Sequence, residues 1–377
     1  MKEKLNNLYK KICTFLKVHK YTIYLSIPFF MMDFATRLFG YKIDFFPVYY
    51  PAPLIFTCVW IFLFLGIITS LKGRGSKIAY WLFFTLYFVL FLTNSIYYSL
   101  TSFFFSFNLM LMAGEGSNYI LDTIINANPL IYVVAVVILI VAIIVYKKFP
   151  GKTAFRGKRL GIICLVFIVL HTIAPLSLGF ANNHLKWNNF KNPRNIYNTY
   201  SDSNKSMRVS GLFEYSFRNF YITFVKPKDK ISKEDKAFLD DIYNAKDTKQ
   251  ADSYTGLFKD KNVIFLQLEG MDTWLLSKKT TPNLYNLMKH SINFKDHYSI
   301  YTGGGSTFNS EFAVNTGFTT PASYTENVYT LNTNTFNYTL AKLFKDQGYS
   351  VNAFHMNSSD FYSRGINYKT WGYDNYY

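Results

Sequence analysis

Two stretches of this sequence hold residues whose types and spacing suit phosphoryl transfer. The first, Asn262-Val263-Ile264-Phe265-Leu266-Gln267-Leu268-Glu269-Gly270, has the apolar, β-branched pattern of a strand that ends in a carboxylate. Open α/β sheets bind ligands beyond the carboxyl ends of their strands, so Glu269 is a candidate hard-oxygen ligand for a divalent cation. The second, Tyr301-Thr302-Gly303-Gly304-Gly305-Ser306-Thr307-Phe308-Asn309-Ser310-Glu311-Phe312, is a glycine-rich turn followed by hydroxyl residues. Its glycines let the backbone approach a phosphate closely and present a hydroxyl on a tight turn. Phosphoryl transfer needs a nucleophile, metal charge to draw electrons from phosphorus, and cations to hold the other oxygens. Thr307 serves as nucleophile and, once ionised, as a metal ligand, with Ser306 beside it as the rival hydroxyl.

The elements that must position these groups divide the chain by class. Half of its 377 residues are apolar and a fifth aromatic, and most of these crowd into the first half. Five apolar stretches are long enough to cross a bilayer: 21–39, 52–71, 78–100, 129–146 and 160–180. The net charge of +17 sits in short Lys/Arg clusters beside these stretches, the pattern of cytoplasmic flanks rather than of a nucleic-acid surface. Clusters precede the first stretch (Lys2 to Lys20), follow the second (Lys72, Arg74, Lys77) and follow the fourth (Lys147 to Arg159), whereas 101–128 has no Lys or Arg. The positive-inside rule then places the amino terminus in the cytoplasm and everything after Phe180 outside. The first stretch is long, lacks a clear cleavage site and is followed by further spans, so no removable signal peptide is expected. Cys13, Cys58 and Cys164 all precede the soluble part, which excludes a disulfide framework there.

Within 101–128, the run 102–112 is too apolar for an ordinary loop and too short for a span, which places it in or re-entering the outer interface. Asp33 and Arg37, one turn apart in the first stretch, read either as a lipid-headgroup contact or as mutual neutralisation and interhelical glue. Four domains are expected: a basic cytoplasmic segment 1–20, a transmembrane domain 21–180, an extracellular helical linker 181–255 and an α/β domain 256–377. In the linker, 210–225 alternates aromatic and basic residues and rests on the membrane or on the soluble domain, and Ser232-Lys233-Glu234-Asp235 opens a helix with a capping-box pattern. Strand 262–268, a helix from Thr281-Pro282, a helix 335–347 ended by Gly348 and a buried strand 349–355 give a strand–helix rhythm that implies a largely parallel sheet covered on both faces.

Taken together, the spans, the strand-end Glu269 and the glycine-rich Thr307 turn resemble the lipoteichoic acid synthase family, part of the sulfatase-like alkaline phosphatase superfamily. The resemblance extends over essentially the whole chain. It implies five helices in the cell membrane followed by an extracellular, partial sulfatase/alkaline-phosphatase-like α/β domain. It further implies that Glu269 and Thr307 bind a divalent metal, manganese or magnesium, and that Thr307 attacks phosphatidylglycerol and passes glycerol phosphate to a growing polymer. His355, Tyr362 and Arg364 match the family's headgroup pocket, with Tyr362 where tryptophan is usual; Arg364 would clamp phosphate with two N–H donors. On local sequence alone Arg364 reads equally as a surface arginine, and His355 as a packed strand-end residue. The family completes its site with an Asp-His pair and a further histidine far downstream of the arginine, whereas His355 is the only histidine after Thr307. A carboxyl-terminally truncated, catalytically incomplete enzyme is therefore expected.

Other readings are a phosphoethanolamine transferase, whose exported domain is usually stapled by disulfides; a sulfatase, whose C/S-x-P-x-R pattern does not occur; and a non-catalytic membrane scaffold. A transporter is disfavoured, since the spans carry few ionisable groups beyond Asp33, Arg37 and His171.

Overall fold

The computed structural model describes residues 2–41, 51–112, 120–150, 154–182, 191–200, 202–226, 233–244, 250–294, 296, 306–319 and 328–377. The chain forms two units, one of residues 1–224 with 301–377 and the other of 225–300.

The first part of the larger unit is a helical bundle. It comprises α1 (Lys2–Tyr41), α2 (Ala52–Ser70), α3 (Gly73–Thr101), the short α4 (Ile120–Asn126), α5 (Leu130–Lys148) and α6 (Gly157–Ile173). Prolines open two of these helices, Pro51 at the N-cap of α2 and Pro129 at that of α5, where a missing N–H and a fixed φ cost nothing. Among the described residues four helices are long and apolar enough to cross a membrane: Ala52–Ser70, Gly73–Thr101, Leu130–Lys148 and Gly157–Leu178. The expected fifth span, 21–39, is helical as the second half of α1, but Pro28, Asp33 and Arg37 keep it from matching the other four in apolarity. It nevertheless lies in the core: Leu25, Phe29 and Met32 are buried with Phe64 of α2 and Tyr87 of α3.

Residues beyond the expected end of the membrane domain also pack into this bundle. After α7 (Pro193–Thr199) comes α8 (Ser203–Phe224), which makes its most extensive packing with α2 and buries Met207, Leu212, Phe213 and Tyr215. Phe213 meets Tyr87 edge-on at 4.6 Å and Phe64 at 5.6 Å, the arrangement ring quadrupoles favour. The 210–225 stretch, expected on a surface, thus enters the bundle through its first half. Its second half leaves Phe217, Phe220, Tyr221 and Phe224 exposed at i, i+3, i+4, i+7 spacing. Phe107, in the 3-10 turn Phe107–Met112, packs on Phe220 at 5.6 Å and donates its N–H to Asn219 at 2.6 Å, so the 102–112 run is tied to α8.

α8 is broken at Gly211, which has φ +74° and ψ 173°, a conformation close to exclusive to glycine. A Cβ there would lie 2.9 Å from Asp33 Oδ1 and 3.2 Å from Thr57 Oγ1. The break frees the first N–H groups of the second half-helix, and Asp33 Oδ1 accepts that of Leu212 at 2.8 Å. Asp33 Oδ2 also accepts from Arg37 at 2.6 Å. The carboxylate is therefore engaged inside the protein, by its arginine and by a helix start 179 positions away.

A second carboxylate ties together four helices. Glu214, fully buried in α8, accepts from Trp60 of α2 at 2.8 Å and Tyr197 of α7 at 2.7 Å, and its Oε2 lies 2.8 Å from His171 Nε2 of α6. Burial alone raises its pKa. The hydrogen bond and charge of His171, with the hydrogen bonds from Trp60 and Tyr197, outweigh that and hold the carboxyl below its ordinary range.

In the smaller unit, α9 (Lys233–Asn244) and α10 (Pro282–Lys289) form where the capping box and Thr-Pro signals place helices. Strand 262–268 does not form: these residues carry no ladder, and Ile264 is 92% exposed. A strand needs a neighbour to take its N–H and C=O groups, and this segment has none among the described residues. The sheet is likewise far smaller than expected. It consists of β1 (Asn352–Ala353) paired in parallel with β2 (Asn375–Tyr376), Asn352 opposite Asn375. Its parallel sense agrees with the strand–helix rhythm. The expected helix 335–347 shortens to α12 (Leu340–Lys345), capped by Thr339 accepting from the Lys342 N–H. The helices α11 (Ser306–Thr316) and α13 (Arg364–Trp371) pack around Phe308, Phe312, Val328, Tyr329 and Trp371.

Candidate functional site

Thr307 lies half-buried in the first turn of α11, an eleven-residue helix that Ser306 opens. Gly303, Gly304 and Gly305 lie outside the described residues. The first turn of a helix presents N–H groups without intrahelical partners and the positive end of the macrodipole, so an anion near Thr307 meets favourable charge.

Four residues on, and so on the same face, stands Glu311, whose side chain slants back toward the helix start. It is buried and grips one edge of the Arg364 guanidinium with both oxygens: Nη2 donates to Oε1 at 2.7 Å and Nε to Oε2 at 3.0 Å. Tyr368 adds its hydroxyl to Oε2 at 3.1 Å. The guanidinium lies over the rings of Phe361 and Tyr362, 5.3 and 5.1 Å from their centroids. Burial works against the charge on Arg364, but the hydrogen bonds and charge of Glu311 more than offset it and hold the guanidinium protonated.

The chain reaches this arrangement through backbone that few residues adopt. Tyr362 and Ser363 have φ of 56° and 47°, both left-handed, immediately before α13. Asn367 pins them, its amide donating to the carbonyls of Tyr362 and Ser363 at 3.2 Å and of Tyr329 at 2.9 Å. Phe308, next to Thr307, packs on Tyr362 at 5.6 Å and stacks on Trp371 at 5.5 Å.

The structure thus gathers the Thr307 helix, Tyr362 and Arg364 into one cluster. Arg364, expected to clamp phosphate with two N–H donors, has one edge engaged inside the protein. The side chain is 1% exposed, and Glu311 already takes one bidentate edge; Nη1 is left buried without a hydrogen-bond partner among the described residues. Asn309 is also buried, with neither amide atom paired among those residues. His355 is exposed at the end of β1, where Nδ1 accepts the Asn357 N–H at 2.9 Å, on the β1–β2 side rather than in the α11–α13 cluster.

Glu269 is exposed in the smaller unit, at the end of the extended segment and before Gly270 at φ +67°. Glu269 and Thr307 offer hard oxygens, the donor type that manganese or magnesium takes. The number falls short: among the described residues no three His, Cys, Asp or Glu side chains form a group able to hold a metal ion. One Asp-His dipeptide does occur, Asp296-His297, but it precedes Thr307 and its histidine lies outside the described residues.

Sequence reasoning missed Glu311, Asn309 and Glu214. For Glu311 a signal existed, a carboxylate one helical turn after the candidate nucleophile. Glu214 gave none, since its partners lie 17, 43 and 154 positions away in α7, α6 and α2.

Comparison with known proteins converges on the same region. The sulfatase family model matches residues 261–377. The lipoteichoic acid synthase of Staphylococcus saprophyticus subsp. saprophyticus is 26% identical over 364 residues, covering 92% of this chain and 53% of that protein. Lipoteichoic acid synthase 1 of Bacillus subtilis is 25% identical over 328 residues, 83% of this chain and 49% of its own. The lipoteichoic acid synthase-like YvgJ of the same species is 33% identical over 155 residues, 38% of this chain and 25% of that protein. The chain spans about half the length of the curated relatives it matches over most of its own length. No solved structure matches.

Proposed function

We propose that this chain, a relative of the lipoteichoic acid synthases with a sulfatase-family segment at 261–377, carries the membrane part and the nucleophile of a glycerophosphotransferase. The observation that carries the proposal is Thr307 in the first turn of α11, one turn from a buried Glu311–Arg364 pair whose Nη1 has no partner among the described residues. In the first half-reaction Thr307 Oγ forms a bond to the phosphorus of phosphatidylglycerol. The bond from phosphorus to diacylglycerol breaks, and diacylglycerol leaves with a proton. In the second, a hydroxyl at the end of the glycerol-phosphate polymer attacks phosphorus and the Thr307 Oγ–P bond breaks. Arg364 donates from Nη1 to a non-bridging oxygen while Glu311 fixes the guanidinium plane, and Tyr362 contacts the glycerol headgroup; His355, the third headgroup residue that the resemblance implies, stands outside this cluster.

A divalent cation, manganese or magnesium, would supply charge that lowers the pKa of the attacking hydroxyl. Glu269 and Thr307 would hold it through hard oxygens; among the described residues no group of three His, Cys, Asp or Glu side chains adds to them. A second reading of the chain by itself is a non-catalytic membrane scaffold. A related transferase acting on another headgroup is the other alternative.

The test is diacylglycerol release from phosphatidylglycerol vesicles by the chain and by any longer form its gene encodes. Loss of release in Thr307→Ala, with Ser306→Ala close to the parent, supports the nucleophile. Equal release by Thr307→Ala and the parent overturns it, and no release by any form leaves the scaffold reading in place.

The proposed orientation follows from the Lys/Arg clusters. A reporter fused after Asn182 is expected to be active only outside the cytoplasm and one fused at Gly73 only inside. The opposite pattern would put Thr307 on the wrong side for an outer-leaflet lipid.

A further inference from the structure

A cleft of about 560 Å³ lies between the start of α3 and the end of α5, lined by none of the residues of the Thr307 cluster. Trp81 and Tyr146 form its wall, with ring centroids 5.2 Å apart. Tyr80 stacks on Tyr146 at 5.6 Å and donates its hydroxyl to the Ala142 carbonyl at 3.2 Å, which fixes the two helices to each other. Ile78, Leu82 and Leu86 recur every fourth residue and so form one stripe along α3. All three are exposed, and they line the floor. Lys77 stands at one end, its Nζ 5.8 Å from the Tyr146 ring centroid.

Charge at that end is of one sign. Residues 71–77 and 146–150 hold Lys72, Arg74, Lys77, Lys147 and Lys148, and no Asp or Glu. We propose that this cleft binds one anionic glycerophospholipid, its phosphate at Lys77 and one acyl chain along Ile78, Leu82 and Leu86. Three observations select that occupant. Basic pockets between membrane helices attract anionic headgroups, and the flanking residues 71–77 and 146–150 bring no carboxylate to Lys77. Trp and Tyr beside a lysine are the side chains that sit at headgroup level. The stripe from Lys77 to Leu86 rises roughly 13 Å, close to half of a hydrocarbon core of about 30 Å, which is the reach of one acyl chain from interface to midplane. A zwitterionic lipid would bring its own cation to a cationic rim, and an apolar helix from a second copy would leave that rim without an anion. The site is independent of the Thr307 reading.

Trp81 lines the cleft and reports on it. The full chain is reconstituted in vesicles containing brominated phosphatidylglycerol or brominated phosphatidylcholine, and the fluorescence lost on Trp81→Phe defines the signal of that residue. Quenching of this signal is expected to favour phosphatidylglycerol by about fivefold for each cation engaged. The preference is expected to drop by about that factor in Lys77→Gln and to shrink at high salt. Lys77 is exposed, so this substitution leaves the bundle packing intact. Equal quenching by the two lipids in the parent overturns the proposal, as does a preference that Lys77→Gln leaves unchanged. Quenching by both lipids that falls as the protein-to-lipid ratio rises would show a second copy of the chain in the cleft, and overturns it too.

Discussion

Replacing Glu214 by alanine is expected to lower the stability of the detergent-solubilised chain by about 3–5 kcal/mol, the range for removing one partner of a buried charged network. The substitution leaves the Trp60 N–H and the Tyr197 hydroxyl without their acceptor and strips His171 of its carboxylate, so one change removes polar links from α8 to three other helices. Glu214→Gln keeps one acceptor oxygen and is expected to lose less; Tyr197→Phe, which removes a single hydrogen bond, is expected to cost about 1 kcal/mol. Denaturant or thermal unfolding read by tryptophan fluorescence checks the order of the three variants. The acid side gives a second check. The folded carboxyl titrates below its ordinary value of 4.5, so its stabilisation is complete above that pH and is lost as pH falls through the lower folded value. The parent is therefore expected to lose melting temperature below about pH 4.5 more steeply than Glu214→Gln. Parallel acid profiles would remove Glu214 as the cause.

Asp33→Ala is expected to be comparably damaging, because it removes two functions of one carboxylate. Arg37 loses its partner in a position where only 10% of its side chain is exposed, and the second half of α8 loses its cap at Leu212. Leaving the buried arginine uncompensated costs about 3–5 kcal/mol, and the lost cap about 1 kcal/mol. Gly211→Ala attacks the same junction from the other side. It forces an alanine into a backbone conformation costing about 1–3 kcal/mol, and its Cβ meets Asp33 Oδ1 at 2.9 Å. Since both residues act at one contact, the double variant is expected to lose clearly less than the sum of the two single losses. Strict additivity in unfolding measurements would show that Asp33 and Gly211 do not depend on each other.

Much of this could be read from residue order, and the division is physical. Apolar runs and the Lys/Arg clusters marked five spans, four of which form helices of membrane length and apolarity among the described residues, because length and composition are local properties. Thr281-Pro282 marked the start of α10 for the same reason. The strand pattern of 262–268 was equally plain, yet pairing depends on a second strand that local sequence does not contain. α8 read as an ordinary surface helix because nothing around Gly211 announces that a carboxylate from α1 waits at the break. In the candidate site, the glycine-rich turn and Thr307 stood out as a motif. The partner that occupies Arg364 did not, since Glu311 and Arg364 are 53 positions apart and meet only through tertiary packing.

The Asp33–Leu212 hydrogen bond has a bearing on the order in which the protein assembles. α1 is the first helix made, and Asp33 then has only Arg37 to offset its charge; the N–H that completes its coordination belongs to a residue synthesised 179 positions later. Until then the space that Phe213 fills against Phe29, Phe64 and Tyr87 has no occupant from this part of the chain. Assembly in chain order would leave that slot open until Leu212 and Phe213 arrive to fill it. A severed form ending near residue 180 would contain the four membrane-length helices found among the described residues and still lack Leu212 and Phe213, which pack into them.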